Sequence, residues 1–349
     1  MVFFHHIIRG LFLISLDWFA NLSRFFPEFV DLLHDRTVLD SAGNKYDKSD
    51  GGKLFVHALF ENLEVLTALG MAMIIGQLFL PIFLRLKEDF RSIAMGFVLF
   101  FVLLCISNFA IVSAQGDVDL SSPPDEYPHY NYVARSFFEF LGRVFLFPGN
   151  LFADWQLIRY PTIPWLALTL LGMGFGRRFQ NNIHSSYRIL LRTALLFIIL
   201  FFLVRGFGGR LNFRGQQRNE PTIASGFMDF FIQTKYPPDW CYVFITLTVD
   251  FILLNLFHFQ DDKPLQQLSP IFRPLLTFGR TPLFFYIVHF WLLRFVGLLL
   301  RIPDHGHPTF RIYFVPFLWV FVLITMYFLC LKYDLFKAST NPTSLWRLL

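Results

Sequence analysis

Charge is what this chain has least of. Only 16% of its 349 residues are Asp, Glu, Lys or Arg, against about 25% in a soluble domain, so an ordinary water-facing surface is excluded. Cysteine is scarce too, with three in all. Cys105, Cys241 and Cys330 fall in or beside apolar stretches without CxxC or Cys/His spacing. A zinc site or disulfide frame is therefore excluded, and core thiols are expected. No Walker loop, HExxH or GxSxG occurs, so ATPase, metalloprotease and esterase chemistry has no support and no metal is expected. Basic runs interleaved with aromatics on a polar face are missing as well. The formal net charge of +5 thus does not point to nucleic acid.

What is present is hydrocarbon. Hydrophobic residues make up 55% of the chain, 48 residues are Phe, and the mean hydropathy is +0.50. A bilayer core of about 30 Å needs about 20 apolar residues in a helix. Eight stretches fit, near 6–24, 61–84, 92–113, 161–176, 189–205, 240–258, 281–301 and 312–333. They are too long for barrel strands and do not alternate apolar with polar. The expected fold is all-α: a polytopic transmembrane helix bundle of about eight spans. One domain over 1–349 is expected, because no Gly/Ser-rich linker or fixed-period repeat divides the chain.

Basic density sets the expected orientation. Loops 85–91, 177–192 and 259–280 hold ten Lys/Arg in 45 residues, whereas 25–60, 114–160, 206–239 and 302–311 hold twelve in 127. The first set is expected to be cytoplasmic, with both termini, and the long loops 25–60 and 114–160 extracytoplasmic. Within the second of these, Tyr132 to Trp155 carries Arg135, Glu139 and Arg143 at spacings of four among phenylalanines. That pattern predicts an interfacial or re-entrant helix with charges on one face and Phe on the other. The stretch SSPPDEYPHYNY, 121–132, reads as an exposed loop in which His129 is a surface residue.

Three stretches are sharper. YPTIPWLALTLLGMGFGRR, 160–178, has Pro161 and Pro164 at a helix entrance and Gly172, Gly174 and Gly176 near its exit, suited to a first turn and to close helix contact. TKYPPDW, 234–240, uses Pro237 and Pro238 to stiffen the approach to a span and to hold Lys235 and Tyr236 at the membrane surface. FGRTPLFFYIVHFWL, 278–292, puts Pro282 near another first turn.

Taken in order with RGLFLISLDWFANLS, VLTALGMAMIIG, FLVRGFGG and SGFMDFFIQTKYPPDWCYVFITLT, these stretches resemble the multi-pass membrane family of heparan-alpha-glucosaminide N-acetyltransferase, and more closely its DUF1624 branch. The likeness covers most of residues 6–301. It implies an acyltransferase that meets acetyl-CoA, a cosubstrate, from the cytoplasmic side and delivers the acetyl group to a glycan or sugar acceptor on the far side. The family's leading LDxLRGLxxxxMxxDH helix has no counterpart before RGLFL here, and its catalytic histidine lies in that leading part, so no role passes to His5 or His6. The expectation is a start upstream of Met1 or a shortened, inactive relative.

Ionisable groups inside the spans are the candidate site. Counted at 1.5 Å per residue, His289, Arg294, Asp17 and Asp250 lie roughly 12–20 Å deep. A charge there costs at least about 2.5–3.5 kcal/mol, so each is expected to face the bundle interior, a partner or water. Asp250 is expected near His289 and Asp17 near Arg294, around one wet chamber. Tyr286 and His289, three apart, share a helix face. In the functional reading His289 carries a proton or donates to an acyl group, Asp250 fixes its tautomer and Tyr286 adds a phenol. In the structural reading all are interhelical glue.

Arg280, Arg177 and Arg178 sit on the expected cytoplasmic rim, where guanidinium groups suit coenzyme phosphates or lipid headgroups. On the opposite side Lys235 and Tyr236 suit an acceptor sugar or act as membrane anchors, and Asp17 and Arg294 complete the candidate acceptor set. The expected partners are membrane lipid, the acceptor and a second copy of the chain. A non-catalytic transporter or proton-binding protein is the alternative class.

Overall fold

The computed structural model describes residues 2–23, 26–33, 38–39, 45–46, 49, 51–53, 55, 62–86, 88–115, 136–146, 149–150, 157–158, 160–207, 230–231, 233, 238–258, 272–301, 315–341 and 344–348. In chain order the elements are α1 (Val2–Leu22), α2 (Phe26–Leu33), β1 (Val38–Leu39), β2 (Lys45–Tyr46), β3 (Asn62–Leu63), α3 (Val65–Arg85), α4 (Asp89–Gln115), α5 (Phe137–Phe145), β4 (Gly149–Asn150), β5 (Leu157–Ile158), α6 (Thr162–Asn181), α7 (Ile183–Phe207), α8 (Trp240–His258), α9 (Phe272–Arg280), α10 (Pro282–Arg301) and α11 (Val315–Ser339), with a closing 3₁₀ turn at Leu345–Leu348. Each of the eight apolar stretches falls on a helix. Among the described residues six helices, α3, α4, α7, α8, α10 and α11, are long and apolar enough to cross a bilayer. The strands are two residues each: β1 pairs antiparallel with β2, and β5 pairs parallel with β3 and antiparallel with β4. The fold is an all-α polytopic helix bundle.

Instead of the one continuous domain expected, the chain divides into two compact units. One comprises Met1–Ile14 and Asn62–Asp261, the other Ser15–Glu61 and Asp262–Leu349.

In the first unit α6 packs on α3 and α4, and α7 runs along α8. Lipid supplies no hydrophobic drive between helices, so close backbone approach and packing do the work. At the α4–α6 crossing a Cβ on Gly174 would lie 2.9 Å from the Ser92 carbonyl oxygen and 3.1 Å from Gly96 Cα. At the α1–α3 crossing a Cβ on Gly70 would lie 2.5 Å from the Gly10 carbonyl oxygen. Glycine is required at both because the neighbouring atoms are backbone and cannot move aside. Gly172 and Gly176, expected to share this role, have open space instead, with nothing within 4 Å of where a methyl would stand.

Phenylalanine fills the space between the other helices. Phe197 of α7, fully buried, has ring neighbours at 5.8 Å (Phe100), 6.2 Å (Phe97), 5.4 Å (Phe244) and 6.1 Å (Phe251). Such pairs contribute about 0.5–1.5 kcal/mol each beyond burial. Thr248 Oγ1 donates to its own Phe244 carbonyl at 2.8 Å and reaches the Ala194 carbonyl of α7 at 3.4 Å, adding a polar tie inside this apolar seam.

The helix boundaries have local causes. Asn182 is the whole link between α6 and α7: its extended backbone (φ −153°, ψ 93°) ends α6, and its Oδ1 accepts from Ser185 N at 3.0 Å, capping α7. Asp239 begins α8 in the same way, Oδ1 accepting from Tyr242 N at 2.6 Å. Ser136 caps α5 by accepting from Glu139 N at 3.2 Å, the serine half of a capping box.

α5 corrects the expectation for 132–155. It spans nine residues, Phe137 and Phe138 are exposed, and Arg143 is the buried one. Burial lowers the Arg143 pKa, with Glu139 pulling it back up. Hydrophobicity alone did not decide the face, because Val144 O at the end of this helix takes the hydroxyl of Thr162 on α6 and orients it.

In the second unit α9 and α10 pack on α11, and α2 packs on α10. Thr281 ends α9 by donating back to Thr277 O at 2.9 Å, and Pro282 opens α10 at the position its missing N–H suits. Val322, Met326 and Cys330 of α11 form the core with Phe284, Phe285 and Val288 of α10. Phe284 stacks on Tyr333 at 4.1 Å, and Arg347 clips the terminal turn to Thr340 O at 2.9 Å. Cys241 and Cys330 are core thiols as expected, whereas Cys105 is exposed on the side of α4 turned away from the packing.

Gly174→Ala is expected to force α4 from α6 and destabilise the protein by about 1–3 kcal/mol, the usual cost of overpacking. Gly172→Ala in the same helix is expected to be neutral or slightly stabilising. Thermal unfolding of the detergent-solubilised protein distinguishes the two, and equal melting temperatures would refute the contact.

Candidate functional site

One end of the first unit gathers the C-terminal ends of α3, α6 and α8 and the N-terminal ends of α4 and α7. Its centre is Asp89, in the first turn of α4, where the helix dipole favours an acid. Asn181 Nδ2 donates to Asp89 Oδ1 at 2.8 Å. Arg177 Nε lies 3.7 Å from the same oxygen and Arg178 Nη1 3.9 Å from Oδ2. Arg178 Nη2 also donates to Ser185 Oγ at 2.9 Å. One carboxylate between two guanidinium groups leaves net positive charge.

Beside this cluster opens a cavity of about 440 Å³, lined by Leu80, Phe83, Leu84, Ser92, Met173, Gly176, Arg177, Gln180 and Asn181. Its lining combines apolar side chains with the polar groups of Ser92, Arg177, Gln180 and Asn181, and its volume suits a small-molecule ligand. Ser92 Oγ is fully buried with no hydrogen-bond partner. Nearby, His184 Nδ1 and His258 Nε2 are 3.1 Å apart, and the Tyr187 ring stacks on His258 at 3.8 Å.

The sequence-predicted residues divide sharply. Arg177 and Arg178 are brought together at Asp89, and Arg177 also lines the cavity. Arg280 is on the second unit, half-exposed and paired with Asp334 at 3.4 Å, while its carbonyl accepts from Lys337 Nζ at 3.3 Å. Lys235 and Tyr236 lie outside the described residues, as does His129.

The four charges expected around one chamber differ in burial. Asp17 is fully buried on α1, but Arg294 is exposed and, among the described residues, makes no ion pair. The expected Asp17–Arg294 pairing therefore fails, since on α10 Arg294 lies away from the face that packs. Asp250 is likewise exposed on α8. In the second unit, His289 Nδ1 is 2.9 Å from the Phe285 carbonyl oxygen one turn earlier, and because a carbonyl only accepts, Nδ1 is the donor in that bond. Tyr286 does share the neighbourhood of His289, their ring centroids lying 5.9 Å apart.

A second polar cluster, at the opposite end of the first unit, was not anticipated. Arg205, in the last turn of α7, is 5% exposed. Its Nε donates to Phe230 O at 2.9 Å, and its guanidinium stands 5.7 Å over the Phe230 ring. Gln233 Nε2 donates to the same carbonyl at 3.1 Å. Asp239 is 1% exposed. The signal for it was the Asp next to last in TKYPPDW, a cap residue directly after two prolines and before an apolar run. Among the described residues no three His, Cys, Asp or Glu side chains converge as a metal requires.

Compared with family models, curated proteins and solved structures, the chain matches none.

Asp89→Asn keeps an acceptor for Asn181 and removes the charge between the two arginines. Its pairs are partly solvated and longer than 3.5 Å, so the loss in stability is expected to stay below about 1 kcal/mol. Denaturation midpoints of the two proteins check this, and a loss of several kcal/mol would make Asp89 a structural clamp.

Proposed function

We propose that this protein is a multi-pass membrane acyltransferase that binds acetyl-CoA at the arginine-rich end of its first unit and passes the acetyl group to a glycan or sugar acceptor. The observation that carries this reading is the cavity beside Arg177. An apolar slot at the membrane edge, with guanidinium and amide groups in its lining, complements an acyl-pantetheine arm joined to phosphates. The excess of Arg at that end, including Arg85, Arg91 and Arg188, favours the cytoplasmic face under the positive-inside rule. The order of the RGLFL, TKYPP and FGRTPLFFYxxH stretches supports the same family of reactions.

His289 is the group assigned to accept a proton. In transfer, the acceptor's hydroxyl or amine attacks the thioester carbonyl and gives up its proton to a base, and coenzyme A leaves as the thiolate. The Phe285 carbonyl takes the Nδ1 side of the ring and leaves Nε2 as the nitrogen not used in that bond.

Purified protein supplied with radiolabelled acetyl-CoA and a mixed glycan pool tests the reading. Arg177→Ala with Arg178→Ala is expected to weaken coenzyme binding about tenfold or more, the loss of roughly one charge-assisted contact. His289→Ala is expected to bind coenzyme normally and to lose transfer by at least about a hundredfold. Absence of both coenzyme binding and transfer in the unaltered protein would end the enzymatic reading, and unimpaired transfer in the histidine variant would remove His289 from it.

A further inference from the structure

Asp239 is almost wholly enclosed, yet only half of its carboxyl group is used. Oδ1 accepts from Tyr242 N and caps α8. Oδ2 is buried with no hydrogen-bond partner. The buried guanidinium of Arg205 is close enough for its field to act on the carboxyl, but, among the described residues, no ion pair joins them. A carboxylate oxygen left bare in a low-dielectric interior is costly, and the group either takes a proton or meets a donor.

The surroundings select between these outcomes. Gln233 Nε2 is held by the Phe230 carbonyl, which can only accept, so the amide orientation is settled and Oε1 is turned out as an acceptor. Gln233 Oε1 is itself buried and unpartnered. The cluster therefore presents unmet acceptors, Asp239 Oδ2 and Gln233 Oε1, beside a cation that does not contact the acid. Among the described residues, the titratable groups whose charge couples with that of Asp239 are Arg205 from α7 and Cys241 from α8. From α4 the group packed against Trp240 is the Phe101 ring, at 5.9 Å, which offers no charge.

We propose that Asp239 is a reversible proton-binding site, with Oδ2 taking the proton from solvent and returning it, and Arg205 standing as the buried countercharge. This site is independent of acyl transfer and lies at the other end of the first unit from the cavity. The physics of the group agrees. Burial drives the carboxyl up from an ordinary 3.8 to about 7, while the Tyr242 N–H and then Arg205 pull it down. The proton is thus exchanged near neutrality, where a membrane protein between two compartments meets differences in pH.

The sign for stability follows. The folded value lies above the unfolded one, so between the two the native state holds a proton that the unfolded chain has released. The stabilisation is complete below about pH 4 and is lost as the pH rises through about 7.

Infrared difference spectra of the detergent-solubilised protein between about pH 5 and about pH 9 read the carboxyl directly. A protonated-carboxyl band that disappears with a midpoint near neutrality is expected. It is expected to be absent in Asp239→Asn, in which Asn keeps the helix cap, and present in Asp250→Asn. In Arg205→Gln the midpoint is expected to move upward by about one pH unit, because a cation favouring the charged form is gone. The melting temperature of Asp239→Asn relative to the unaltered protein is also expected to rise between about pH 4 and about pH 7 and to level off above that. Persistence of the band in Asp239→Asn overturns the proposal. So does a midpoint that stays or falls in Arg205→Gln, a comparison that stands even where the Asp239 variant fails to fold.

Discussion

The contact between Gly96 and Gly174 sets the geometry on which the rest of the first unit depends. With no Cβ on either residue, α4 and α6 meet backbone to backbone, and lipid offers no substitute for that packing. The residues that follow the contact along both helices inherit their positions from it. Asp89 lies two turns before Gly96, and Arg177 and Arg178 lie one turn after Gly174. Separating the helices by the width of a methyl group would part the acid from the arginines and open the wall between Ser92 and Met173. The cavity is therefore a consequence of a helix crossing before it is a feature of its lining residues.

Around this crossing the interior is held by aromatic rings rather than by polar bonds. Phe197 meets rings from α4 and α8, so it ties the α7–α8 pair to the α4–α6 pair. Polar side chains within the helices spend their hydrogen bonds locally. Thr169, Thr246 and Thr248 donate to carbonyls one turn back, and His289 does the same through Nδ1. That habit solves burial cheaply, since the partner is always present. It also explains why buried polar residues far apart in sequence did not need to find one another.

Asp239 departs from this pattern. Its cap bond serves the helix, as in any soluble protein, yet its second oxygen is enclosed by the same packing that buries Trp240 and Arg205. Stability would be served by a neutral cap. A carboxyl held at the edge of ionisation, with its countercharge present but out of contact, is the arrangement expected where protonation itself is used.

The helical class and the approximate positions of the apolar helices were legible in the sequence, because a bilayer demands apolar runs whose backbone bonds close within each segment; of the eight stretches expected to span, six stand on helices long and apolar enough to do so among the described residues. The helix start at Pro282 was legible as well, because a missing N–H and a fixed φ act within a few residues. The arginines of 177–178 were legible as a pair at the end of an apolar helix for the same reason as the helices themselves. Which way a side chain faces was not. Arg294 and Asp250 share composition and depth with Asp17, but only Asp17 is buried, and that depends on which helix packs against which stripe. Nor could sequence say that Gly174 touches another backbone while Gly172 touches nothing, or that the TKYPPDW aspartate would lose half its partners. Those outcomes belong to the tertiary structure, since contact between helices is decided by crossing geometry and shape, which no single segment carries.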